Sequence, residues 1–160
     1  MKLRHKISLL AGDILLLVLL FGCEDPMANT ALTQEDQIDK FIASKYADAV
    51  VVPNNGVNRI VLEAGDSTCF AAKGDIVDFD YIGYPFTSSI GQPFAQGSYK
   101  GPLESGKMIK GLEYGIEGMC PGEKSYIIFS CKYGYEKTVA GIGSGQALVF
   151  EVIMNDINAE

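Results

Sequence analysis

The sequence predicts an α+β fold, in which an antiparallel β-sheet wraps around one short α-helix and a further helix precedes the sheet. From residue 48 onward, strand patterns come first, one short helical pattern follows residue 109, and further strand patterns complete the domain. That order is typical of an antiparallel sheet packed on a helix. No internal repeat is visible, and the length suits one hydrophobic core. We therefore expect a signal peptide over residues 1–22, a tether with an amphipathic helix over 23–47, and one domain over 48–160.

The first segment has the pattern of a bacterial lipoprotein signal. A basic start precedes an apolar run from Ile7 to Phe21, which is shorter than the about 20 residues that span a membrane. The run ends at Gly22-Cys23, a small residue followed by cysteine, as in a lipobox. Cleavage there would make Cys23 the first mature residue, and its lipid would anchor the protein, since each buried methylene contributes about 0.8 kcal/mol. The alternative is an uncleaved N-terminal anchor.

Composition excludes several classes of function. The formal net charge is −7, and an acidic chain argues against nucleic acid as a partner. The only histidine, His5, lies within the signal. The mature protein therefore cannot form a Ser-His or Cys-His nucleophile pair or a histidine metal site. We expect neither a metal nor a cofactor.

Three cysteines follow Cys23, namely Cys69, Cys120 and Cys131. Disulfides can form outside the cytoplasm, and an odd number leaves one thiol unpaired. Cys120 and Cys131 flank a predicted strand that, at about 3.3 Å per residue, holds them too far apart to bond. A bridge would therefore involve Cys69, with Cys120 favoured as its partner. The alternative is three buried, reduced cysteines.

The N-terminal elements begin with a polar tether from Glu24 to Leu32. Thr33 is a suitable N-cap for a helix, and acidic residues occupy the first turn. Apolar residues then recur on one helical face: Ile38, Phe41, Ile42 and Tyr46. We expect this helix to pack on the domain, with partner binding as the alternative.

The remaining elements follow from alternation and turn residues. Asn54-Asn55-Gly56 predicts a hairpin turn, and glycine, serine and proline predict an irregular segment over Pro85–Gly106. A helix is predicted over Lys110–Met119 and a long loop over Tyr133–Gln146. The predicted strands are Val50–Pro53, Val57–Leu62, Ile76–Tyr84, Glu123–Ser130 and Ala147–Ile157.

Several motifs, in the order and at nearly the spacing found in that family, resemble the FKBP family of prolyl isomerases. They are Gly74-Asp75-Ile76-Val77, Tyr81-Ile82-Gly83, residues 106–116, residues 118–124, Tyr133-Gly134-Tyr135 and residues 147–152. The resemblance implies that residues 48–160 form an FKBP-like domain. It also implies a prolyl pocket built from Tyr81, Phe94, Tyr99, Met108, Ile109, Leu112, Tyr135, Ile142 and Phe150.

The resemblance implies that Leu112 forms the floor of that pocket. It also implies that the Ile109 N–H and the Tyr135 hydroxyl donate hydrogen bonds to carbonyls of the bound peptide. The implied function is cis-trans isomerisation of prolyl bonds in exported polypeptides, by a monomer held at the cell envelope through Cys23 and facing the periplasm or the surface. The sequence departs from the family at Ala95, Leu112 and Glu136, where Asp, Trp and Gly are usual. Those departures favour the alternative, a non-catalytic lipoprotein that binds peptide or protein partners.

Overall fold

The structure is a computed structural model that describes residues 26–158, with side chains described for residues 30–157. Cys23 and the predicted signal peptide lie outside the described residues. Among residues 26–158, no helix is long and apolar enough to cross a membrane. The elements in chain order are α1 (Pro26–Lys45), β1 (Val50–Asn54), β2 (Val57–Glu63), β3 (Ile76–Phe86), β4 (Ala95–Pro102), α2 (Lys110–Ile116), β5 (Lys124–Phe129), a 3-10 helix (Cys131–Tyr133) and β6 (Ala147–Asn158).

The strands form one six-stranded antiparallel sheet in the order β1-β2-β5-β6-β3-β4. The β1–β2 hairpin turns at Asn55 and Gly56, whose φ angles are 51° and 84°. Two successive positive φ angles fit a two-residue hairpin turn, for which Asn-Gly is the preferred sequence. The predicted turn is thus confirmed.

Each face of the sheet packs against one helix. Alternate residues of β5 and β6, such as Ile127 and Phe150, point into the main core with Leu112 and Ile116 of α2. The other face forms a smaller core under α1, made by buried Ile38, Ile60, Phe86, Ile128, Ala147 and Val149. The predicted α+β fold, a sheet wrapped on a short helix, is confirmed.

Helix α1 packs as the apolar spacing predicted, because Phe41, Ile42 and Tyr46 join Ile38 in the smaller core. Its start was predicted wrongly. The helix begins at Pro26, so residues 26–32 are helical and do not form an extended tether. Proline is well suited to a first helical turn, and Ala31 is buried, so packing continues beyond the expected cap.

Strand β4 and the end of α2 also differ from the prediction. The segment predicted to be irregular contains β4, which lies at the sheet edge and pairs with β3 from Gly83–Ala95 to Ile76–Pro102. Its glycines and polar residues lack the apolar alternation by which a strand is predicted. Pairing with β3 stabilises it instead. Helix α2 ends at Ile116 and not at Met119, because Glu117 leaves the helical region with ψ at 127°.

The three described cysteines are all free, so the predicted Cys69–Cys120 bridge is wrong. Cys120 and Cys131 are buried and Cys69 is exposed. Burial, followed by the nearby Glu123 carboxylate, raises the pKa of the Cys120 thiol. Burial also raises the pKa of Cys131. The two buried thiols therefore stay protonated and pack as small apolar groups.

Candidate functional site

A cleft of about 200 Å³ opens between the start of α2 and the strands that carry the main core. Its walls are mostly aromatic and aliphatic. The residues that line it are Phe79, Tyr81, Tyr99, Lys107, Met108, Ile109, Leu112, Tyr135 and Phe150. The cleft is small enough to enclose one ring or short side chain, while its mouth leaves room for a chain to pass.

The sheet supplies the aromatic walls. Tyr81 and Phe79 lie on β3, Tyr99 on β4 and Phe150 on β6. Phe150 lies at the base, where its ring stacks on Phe129 with planes 9° apart and centroids separated by 6.1 Å. Because β-strands place alternate side chains on one face, these rings share one side of a rigid sheet. The base of the cleft is therefore fixed by the core.

The start of α2 supplies the opposite wall. Ile109 precedes the helix with φ −68° and ψ 146°, and its carbonyl oxygen accepts hydrogen bonds from the N–H groups of Leu112 and Glu113 at 3.0 and 3.2 Å. Among residues 26–158, the Ile109 N–H itself has no acceptor. A free donor at the edge of an apolar cleft can bind a carbonyl of a ligand.

Close packing of α2 on the sheet depends on a glycine. A Cβ atom added at Gly111 would lie 2.5 Å from the ring of Phe129. The helix can therefore approach the sheet closely enough to place Leu112 in the cleft lining. On the loop before α2, the Gly106 N–H donates to the Glu113 carboxylate at 2.9 Å, which holds that loop against the helix.

Tyr135 closes the cleft from the loop between the 3-10 helix and β6. Burial, and secondarily the electrostatic interaction with the neighbouring Tyr81, raise the pKa of the Tyr135 phenol. The hydroxyl therefore stays protonated at neutral pH and can donate a hydrogen bond. Phe94 lies beside it, with ring centroids 6.3 Å from Tyr135 and 6.0 Å from Phe150.

Most of the residues assigned to the pocket by resemblance meet around this one cleft. They are Tyr81, Tyr99, Met108, Ile109, Leu112, Tyr135 and Phe150. Phe94 and Ile142 are not among the lining residues, although both pack against the main core and Phe94 contacts Tyr135 and Phe150.

Two lining residues, Phe79 and Lys107, were not predicted. Phe79 shares a strand face with Tyr81, so alternation alone could have identified it. Lys107 precedes Met108, but nothing in the sequence distinguishes it from an ordinary surface lysine.

The lining of the cleft is suited to binding and orienting a ligand. Within the described residues, no group of three or more His, Cys, Asp or Glu could hold a metal ion. The lining has aromatic and aliphatic side chains and one lysine, and its hydrogen-bond donors include the Ile109 N–H and the Tyr135 hydroxyl. Such a site can hold a compact apolar ring and orient the peptide carbonyls beside it.

Comparisons with known proteins agree with this geometry. Residues 68–155 match the family model described as FKBP-type peptidyl-prolyl cis-trans isomerase. FK506-binding protein 1 of Aspergillus oryzae is 33% identical over 116 residues, covering 64% of this chain and 99% of the relative. FK506-binding protein 1 of Yarrowia lipolytica is 34% identical over 110 residues, with the same coverage. The human peptidyl-prolyl cis-trans isomerase FKBP2 is 37% identical over 89 residues, covering 50% of this chain and 59% of the relative.

Proposed function

The chain belongs to the FKBP-type peptidyl-prolyl cis-trans isomerase family, and from this membership we propose that it isomerises X–Pro bonds of exported polypeptides in the cleft at Tyr135. The observation that carries the proposal is the cleft itself. Aromatic walls and a buried base enclose a space that fits a proline ring, and the donors at Ile109 and Tyr135 flank it. No nucleophile, metal or cofactor is required by this chemistry.

The barrier to be lowered is that of rotation about the X–Pro bond. Amide resonance makes this barrier about 18–20 kcal/mol, so uncatalysed isomerisation takes tens to hundreds of seconds. Twisting the bond abolishes the resonance and makes the C–N–O unit less polar. An apolar enclosure disfavours the planar, more polar amide relative to the twisted one. Binding the twisted state more tightly than either planar state is what accelerates the reaction.

The lining residues divide between gripping the ring and orienting the chain. Phe79, Leu112 and Phe150 would contact the proline ring from below, since they lie at the inner end of the cleft. The Ile109 N–H and Tyr135 hydroxyl would hydrogen-bond carbonyls on the two sides of the twisting bond. Fixing both flanking carbonyls holds the substrate near the twisted geometry and reduces the entropy lost on reaching it.

A protease-coupled assay of the full chain on an Ala-Leu-Pro-Phe peptide tests the proposal. We expect micromolar protein to accelerate isomerisation, and Phe150→Ala to lower kcat/KM by at least tenfold through loss of the buried base. Tyr126→Ala is the matched control, because Tyr126 is an aromatic residue of β5 that packs on the opposite face of the sheet. Absence of acceleration by a folded wild-type protein would refute the enzyme proposal. Peptide binding without acceleration would instead support the non-catalytic peptide holder.

We also propose that Cys23 is lipidated after removal of residues 1–22, which would place the domain at the cell envelope. We propose in addition that the protein is a monomer. The support is the basic start, the apolar run and the Gly22-Cys23 junction in the sequence. Mass spectrometry of the N-terminal peptide should find a lipid on Cys23, and Cys23→Ser should move the protein from the membrane to the soluble fraction. An unmodified Cys23 in membrane-bound protein would refute the lipid anchor.

A further inference from the structure

Both ends of the loop that carries Tyr135 are held by one side chain of α1. We call residues 131–145 the Tyr135 loop. At its first residue, the N–H of Cys131 donates to Oε1 of Gln34 at 2.8 Å. At its last residue, the carbonyl oxygen of Gly145 accepts from Nε2 of Gln34 at 2.7 Å. Gln34 lies about a hundred positions away in sequence, so this contact joins the N-terminal helix to the cleft.

Contacts next to Gln34 strengthen the same junction. The hydroxyl of Ser130, which is fully buried, donates to Oε1 of Glu35 at 3.1 Å. Where the loop re-enters the sheet, Nε2 of Gln146 donates to the carbonyl oxygen of Phe86, at the end of β3, at 2.5 Å. The start of the loop is therefore held by two side chains of α1, and its end is held by α1 and by β3.

Beyond Tyr135, the Tyr135 loop has few restraints of its own. Residues 136–141 are exposed, and a Cβ atom added at Gly143 or Gly145 would meet nothing within 4 Å. A backbone pair between Val139 and Ile142 closes only a tight local turn. The rings of the loop pack against the main core, and that of Tyr135 contacts Phe94. The position of the Tyr135 backbone and hydroxyl therefore depends on these ring contacts together with the place where the loop ends are held.

We propose that Gln34 is a positioning residue for the cleft, fixing the Tyr135 loop so that the Tyr135 hydroxyl lies at the mouth. Helix α1 is then a part of the isomerase and not a spacer between the domain and its anchor. This inference rests on the proposed function, because it assigns a consequence to the position of Tyr135. It predicts that a change on α1, outside the cleft, alters the handling of peptide.

The variant Gln34→Met tests this, because methionine keeps the length of the side chain and removes both hydrogen bonds. We expect kcat/KM to fall about fivefold to tenfold, mainly through KM, as the loop samples positions that displace Tyr135. Gln34→Glu keeps the acceptor for Cys131 but puts an oxygen opposite the Gly145 carbonyl oxygen in place of the donor, so it should release the end of the loop and also lower kcat/KM. Gln37→Met is the matched control, since Gln37 lies one turn further along α1 and is exposed.

A double variant separates positioning from a general loss of stability. If Gln34 acts through Tyr135, Gln34→Met should cost little more in a Tyr135→Phe protein than Tyr135→Phe costs alone. If the role of Gln34 is purely structural, the free-energy losses in kcat/KM from Gln34→Met and from Tyr135→Phe should add in the double variant. Additive losses, or equal kcat/KM for Gln34→Met and Gln37→Met, would overturn the proposal.

Amide exchange followed by NMR keeps the test independent of the proposed function. Exchange of the Cys131 and Gly134 amides should be at least tenfold faster in Gln34→Met than in Gln37→Met, with amides of β5 unchanged. Equal exchange would overturn the proposal even if the wild type isomerises peptide. If the wild type accelerates no peptide but exchange is faster in Gln34→Met, the proposed function is refuted. The conclusion that Gln34 fixes the Tyr135 loop is then still supported. Gln34→Glu serves the same comparisons if Gln34→Met does not fold.

Discussion

The ring of Tyr135 stands edge-on to the ring of Phe94, with centroids 6.3 Å apart and planes inclined by 78°. This contact holds the ring without using its hydroxyl. Tyr135→Phe should therefore keep the packing and remove only the donor. We expect kcat/KM on a prolyl peptide to fall about threefold to tenfold, as for loss of one hydrogen bond, with the free energy of unfolding changed by less than about 0.5 kcal/mol. An unchanged kcat/KM would remove Tyr135 from the peptide-binding groups.

The sequence predicted the parts of the fold that hydrophobic periodicity encodes. The apolar face at Ile38 and Phe41 and the Asn55-Gly56 turn appear as expected, because burial and turn sterics act locally. Strand β4 was missed because its residues carry no apolar alternation. Its pairing with β3 and the ring of Tyr81, packed over Gly97, stabilise it, and neither contact is local in sequence.

The cleft was predictable where its residues fall within ungapped motifs. Tyr81 and Phe150 lie on strands, Ile109 directly precedes α2, and the three meet as the resemblance implies. Phe94 and Ile142 lie where loop lengths change, so their final placement depends on the loop path. The contact between Gln34 and the Tyr135 loop had no signal at all, because a polar residue on a helix surface has no periodic pattern that reveals its partner.

The glycine at the start of α2 is predicted to be essential for docking of that helix. Gly111→Ala would place a Cβ atom 2.5 Å from the Phe129 ring, which is fully buried and cannot move freely. We expect the free energy of unfolding to drop by about 1–3 kcal/mol through overpacking. Gly143→Ala is the control, since its Cβ would meet nothing within 4 Å. Equal urea midpoints for the two variants would contradict the prediction.

A buried ion pair beneath the sheet should be sensitive to loss of either partner. Nε of Arg59 lies 3.5 Å from Oε1 of Glu123, and both side chains are less than a tenth exposed. Burial lowers the pKa of Arg59 and the Glu123 charge opposes that shift. Glu123→Gln should destabilise the fold by about 3–5 kcal/mol, because it leaves a buried charge without its partner.

Two comparisons check the interpretation of that loss. Asp36→Asn breaks the exposed pair with Lys40 and should cost at most about 0.5 kcal/mol. Combining Glu123→Gln with Arg59→Met should recover part of the loss, because no unpaired charge remains buried. If the double variant is as unstable as the sum of the single variants, the loss does not come from the unpaired charge.

Stability at alkaline pH should depend on Tyr126. Burial, and then the Glu151 carboxylate, raise the pKa of this phenol from 10.0 to about 12. The folded protein thus holds the proton more tightly than the unfolded chain. The resulting stabilisation is complete below pH 10 and is lost as pH rises towards about 12. Urea unfolding across this window should show a shallower decline for Tyr126→Phe than for wild type, and parallel declines would contradict the prediction.

Lys107 should bias the cleft towards acidic substrates. It is the one charged residue among the described residues that line the cleft, and it is exposed at the mouth. A carboxylate on the residue before proline would lie near it, and such a surface attraction is worth about 1 kcal/mol in water. The ratio of kcat/KM for Ala-Glu-Pro-Phe to that for Ala-Gln-Pro-Phe should therefore exceed one and fall as salt is added, because salt screens exposed charges. Lys107→Gln should abolish the difference, while Lys110→Gln, which removes an exposed lysine outside the lining, should retain it. A ratio unaffected by Lys107→Gln would show that Lys107 does not set the preference.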